Sequence, residues 1–174
     1  MSSCTPPTLV DAPGIAPGGL DGLPAAALVR ICACFPGATE ASGVLSAVGE
    51  VFDWLGREQR LTAHAAGLAC AGHVLVMGWV GSPITGCAGG RVNRQLGEMG
   101  ERLGVDLLTP PPLVVEVEGA WTCLNRAGLR AAAAAGRIGP ATRVVDTQLT
   151  ELGAWRRQGL TSIEKSWVGR LLGR

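Results

Sequence analysis

The chain has no tyrosine, two phenylalanines, two histidines and almost no net charge, its 15 basic residues facing 14 acidic ones. A formal charge of +1 removes the bulk field that drives binding to nucleic acid or an anionic membrane by counterion release. The basic pairs Arg91 with Arg94 and Arg156 with Arg157 read as solvated helix faces. No apolar run approaches the ~18–20 residues that span a bilayer, and the N-terminus lacks the basic and unbroken apolar regions of a signal peptide. The expected location is therefore the cytoplasm, where the six cysteines stay reduced and most pack as small hydrophobes. No GxxxxGK[ST] occurs, no GxGxxG follows a strand, and no acidic residue is spaced to read a ribose, so no nucleotide cofactor is expected. With neither CxxC spacing nor clustered histidines, no metal is expected either.

What is abundant is apolar surface. Hydrophobic residues make up 47% of the 174 positions and charged ones 17%, enough for one self-sufficient core. Residues 1–26 mix Pro, Gly, Ser and Ala without period and read as a disordered tail, leaving 27–174 as a single α+β domain. The run Leu28 to Phe35, stopped by Pro36-Gly37, reads as a first strand. Residues 42–56 space Val44, Leu45, Val48, Val51, Phe52 and Leu55 as one helical face, with Ser42 as N-cap and Gly56 as stop. Two apolar stretches meeting at Ala71-Gly72-His73 read as a hairpin, and residues 87–103 as a second helix bearing Val92, Leu96, Met99 and Leu103. After the prolines at 110–112, Leu113, Val115 and Val117 alternate with Glu116 and Glu118 as in a half-exposed strand. The order βαββαβ predicts a ferredoxin-like antiparallel sheet over 27–119 with two helices on one face. Residues 120–174 are expected to add an α-rich extension packed on it. Trp54, Trp79, Trp121, Trp155 and Trp167 read mostly as core.

The candidate site lies where Thr85-Gly86-Cys87-Ala88-Gly89-Gly90 joins a strand end to a helix start. A thiol there feels the positive end of the helix dipole and free N–H groups, which favour thiolate. The same N–H groups at Thr85, Gly86, Gly89 and Gly90 suit a small anionic ligand. Of the two histidines, His73 falls about seven residues and roughly 23 Å of strand from the loop. His64 falls opposite Val80, at the loop's end of the sheet, as the candidate base for Cys87. Cys32 and Cys34 share one strand face by alternation, and their apolar surroundings read as a buried strand. Ser162-Ile163-Glu164-Lys165 matches SxxK, but the partner motifs SDN and KTG are absent.

Thr85-Gly86-Cys87, Gly104-Val105-Asp106-Leu107-Leu108, Gly136-Arg137-Ile138 with Thr142 and Asp146, and Ser166-Trp167 with Arg170 together give the chain a recognisable pattern. It resembles a family of small bacterial proteins without an established activity, some of which carry the label "ABC transporter ATPase". The resemblance covers roughly residues 28–172 and implies fold boundaries rather than chemistry. Ala88 stands where the family often has serine, and Val168 where a histidine often follows the tryptophan. The leading expectation is a ligand- or partner-binding domain, with a homodimer through the open sheet face as one mode of association. The alternative is a small thiol enzyme or redox protein using Cys87 and His64.

Overall fold

A 17-residue helix, α1 (Ala41–Arg57), forms where the apolar residues recur at three and four, and Val44, Leu45, Val48, Phe52 and Leu55 all lie buried along it. It belongs to a computed structural model that describes residues 10–11, 19–34, 41–57, 61–84, 86–104, 106, 108 and 113–173. The remaining elements, in chain order, begin with β1 (Val10–Asp11), β2 (Leu28–Cys34), β3 (Leu61–Ala69), β4 (Val74–Gly81) and α2 (Gly86–Leu103). They continue with β5 (Leu113–Val117), β6 (Ala120–Leu124), α3 (Arg126–Ala134), β7 (Arg143–Val145), α4 (Leu152–Gln158), β8 (Leu160–Ser162) and α5 (Val168–Leu171). The class is mixed α and β, with two antiparallel four-stranded sheets.

The first sheet has the order β1-β3-β4-β2. Its centre is the expected hairpin, turned at Cys70 to His73 with Cys70, Ala71 and Gly72 at positive φ. β2 pairs with β4, as a ferredoxin-like sheet requires of its first and third strands. The fourth strand departs from that plan. β5 does not join β2; it starts a second sheet of order β6-β5-β7-β8. Residues 120–174, expected as an α-rich extension, supply three of that sheet's four strands.

Alternation along the strands shows how the layers stack. Leu75, Met77 and Trp79 of β4 face α1 and α2, while Val74 and Val76 face the second sheet. On β5, Val114 faces the first sheet, and Leu113 and Val115 pack under α3 with Leu129 and Ala132. The result is helix, sheet, sheet, helix, with three apolar cores between four layers. The sheet face assigned to a homodimer is therefore covered by the chain's own second sheet. β5 is not the half-exposed strand that its glutamates suggested, because Val114 is fully buried.

The segment read as tail also enters the core. Leu20 and Leu23 are buried against Gly78, whose added Cβ would meet both side chains. Arg156 donates to the carbonyls of Leu20 and Leu23, and Leu152 N–H donates to Ala27 O at 2.8 Å. Val10 and Asp11 pair with Leu68 and Gly67. Residues 1–9 and 12–18 lie outside the described residues.

Candidate functional site

Helix α2 starts at Gly86, whose φ of +60° explains glycine there. Cys87 is its second residue, so the expected placement at a helix start holds for the backbone. Thr85, and the side chain of Cys87, lie outside the described residues, and no Cys87 to His64 distance enters the site. Gly86 and Gly90 are exposed, and a Cβ at either would meet nothing. A Cβ on Gly89 would lie 3.3 Å from Ile84 O, the tight approach that its lack of a side chain permits.

His64 is opposite Trp79 rather than Val80, because the turn spans Cys70 to His73 and pairs Ala69 with Val74, which centres the ladder between Ala71 and Gly72 rather than on Gly72. It faces α1, stacked on Phe52 with ring centroids 4.8 Å apart, and Nε2 lies 3.8 Å from Asp53 Oδ1. Burial pushes its pKa below the usual histidine value, and the Asp53 carboxylate only partly offsets this. The folded state thus binds a proton less readily than the unfolded one. Stability is full above the unfolded value of ~6.5 and is lost as pH falls through the window below it, towards the lowered folded pKa. The urea midpoint is expected to drop between pH 7.5 and 5 more steeply in the wild type than in His64→Gln; identical slopes would contradict the assignment.

The outer face of the first layer carries a groove of about 460 Å³ between α1 and α2. Its floor is apolar, from Ala47 and the buried Val51 and Met99. Its rim carries the carboxylates of Glu50, Glu98 and Glu101 and a single guanidinium, Arg102. Gln95 also lines it, and its Oε1 is buried without a hydrogen-bond partner among the described residues. The groove continues beside Gly43 and Ser46. Arg91 lies 4.8 Å over the Trp54 ring, a cation–π contact linking the start of α2 to α1. Val51 and Met99 stood out in the sequence only as core residues of their helices, and the groove's polar residues did not stand out at all, because charges on the outer face of a single helix are an ordinary solvated feature. Only the crossing of two helices puts Glu50 opposite Glu98 and Glu101.

A second polar cluster lines the seam between the sheets. Arg143 Nη1 lies 3.4 Å from Glu116 Oε2, and its guanidinium lies 5.3 Å over the Trp121 ring. Nearby Cys70 is a free thiol whose pKa burial raises to about 12, against a smaller lowering by Arg143, which leaves it protonated and inert at neutral pH. Cys123, partly buried against the core between the sheets, is disulfide-bonded, contrary to the expectation of reduced thiols. Among the described residues, no group of three or more His, Cys, Asp or Glu could hold a metal ion, and no helix is long and apolar enough to cross a membrane.

No family model, curated protein or solved structure matches the chain.

Proposed function

We propose that the chain is a binding domain whose α1–α2 groove receives a basic, partly apolar segment of a protein partner. The supporting observation is the buried Gln95 Oε1, an acceptor without a partner among the described residues, beside a rim of three carboxylates and one guanidinium. A buried polar group left unpaired costs about 1–3 kcal/mol, a penalty removed when the Gln95 amide turns to the groove surface and accepts from a ligand donor. Met99 at the floor suits apolar side chains of varied shape, since a thioether chain repacks readily. Each exposed carboxylate adds only ~0.2–1 kcal/mol against a cation, so the rim selects charge while the floor and Gln95 hold the segment. An acidic rim also argues that this groove does not take the small anionic ligand considered for the 85–90 turn.

The test is a chemical-shift titration of isotope-labelled protein with an amphipathic helical peptide of lysine and leucine. Saturable shifts confined to Ala47, Glu50, Val51, Gln95, Glu98 and Met99, weakening with salt, are expected. Shifts scattered over acidic residues elsewhere, or none, would contradict the reading.

A further inference from the structure

The formal charge of +1 hides two surfaces of opposite sign. The α1–α2 groove sets Glu50, Glu98 and Glu101 against Arg102 alone. On the helical layer over the second sheet the balance reverses. α3 and α5 together carry Arg126, Arg130 and Arg170 and no acidic residue, and all three arginines are exposed. Arg126 and Arg130 stand one turn apart, so they share a face of α3. The short turn Ile163–Lys165 before α5 adds the exposed Glu164 and Lys165, whose charges cancel.

Between α3 and the chain's last turns lies a hollow of about 400 Å³ lined by Arg130, Ala133, Leu171, Leu172 and Gly173. Leu171 and Leu172 are half-buried, packing against the core under α3 and leaving part of their surface to the hollow. The stretch from Arg170 to Leu172 is thus basic and partly apolar, the chemistry that an acidic rim and an apolar floor accept. No molecule can join its own two surfaces. α1 and α2 form one outer layer and α3 and α5 the other, with both sheets between them.

We infer, resting on the α1–α2 groove as a binding surface, that its partner is a second copy of this chain. The α3–α5 surface of one molecule docks on the groove of the next, with Arg130 and Arg170 against Glu50, Glu98 and Glu101, and Leu171 and Leu172 towards the apolar floor. Because the two surfaces lie on opposite outer layers, the contact is head to tail and does not close as a two-fold pair. Each added copy leaves one groove and one basic surface open at the ends of the stack. Exposed ion pairs are individually weak and screened by salt, so the association is weak and falls as salt rises.

Sedimentation velocity of the full chain from about 10 μM to about 1 mM at low salt should give a weight-average mass that rises past the dimer without a plateau and returns to monomer in high salt. Glu50→Lys with Glu98→Lys should weaken association about tenfold, and Arg130→Ser with Arg170→Ser about fivefold. Mixed in equal amounts, the two variants keep one working surface each and should form a one-to-one pair that grows no further. A wild type that stays monomeric throughout, while the lysine–leucine peptide still titrates the groove, overturns the second copy as partner and leaves the groove reading standing. Loss of both overturns both. Association unchanged in either double variant, each verified as folded by circular dichroism, also overturns the inference. So does a monomer whose α3–α5 arginines bind a single-stranded oligonucleotide, an outcome that assigns that surface to nucleic acid.

Discussion

Replacing Trp155 with alanine is expected to lower the unfolding free energy by about 3–5 kcal/mol, the range for deleting a large aromatic from a core. Trp155 is fully buried, the largest such side chain among the described residues. From α4 it packs in the core between the sheets, together with Leu20, Val29, Val76, Val114 and Val145. Its indole lies directly over Gly159, where an added Cβ would overlap the ring, so the site was shaped around this side chain and cannot close readily when it is removed. A chain of this length loses roughly 2–4 °C in Tm per kcal/mol, which puts the expected drop at about 10 °C. Trp155→Phe should cost much less, because it also removes an indole N–H that is buried without a partner among the described residues. Urea unfolding followed by circular dichroism measures both, and a Trp155→Ala cost below about 1 kcal/mol would mean that the sheets do not meet on this residue.

Leu20→Ala is expected to cost about 2–5 kcal/mol, although the residue sits in a stretch of alternating Pro, Gly and Ala that reads as tail. Leu20 is fully buried, packs against the Gly78 backbone and is held by the Arg156 guanidinium on its own carbonyl. A substitution in an unstructured tail would change stability by less than about 0.5 kcal/mol. The urea midpoint separates the two outcomes without ambiguity. A cost in the tail range would detach residues 19–26 from the core.

Both helices of the first layer were legible in the sequence because their apolar residues recur over four or more turns, and the hairpin because a glycine turn separates two long strands. The second sheet was not. Its strand Leu160–Ser162 is three residues long, too short to display a period, and the Ala120–Leu124 strand is hidden by its own mixed composition. The βαββαβ order was read correctly, but order alone does not say whether a fourth strand joins the first or finds partners further along. Here β5 pairs with β6 and β7, one on each edge. Two finer readings failed on register: the turn over Cys70 to His73 puts His64 opposite Trp79, and a bulge between Cys32 and Cys34 breaks the backbone alternation on which their shared face was read. Leu20 was missed because its burial depends on Gly78, a contact between segments nearly sixty residues apart that local composition does not encode.

The proposed groove belongs to the same class of long-range result, since Glu50 on one helix and Glu98 on the other acquire a joint meaning only when the helices cross. The most direct test is a fluorescence anisotropy titration of a labelled lysine–leucine helical peptide into the wild type and into a Glu50→Lys, Glu98→Lys double variant at equal ionic strength. Reversing two rim charges should cost about 1.4 kcal/mol or more, a tenfold or greater weakening. Equal affinity for the two proteins, both verified as folded, would contradict the groove as the binding surface.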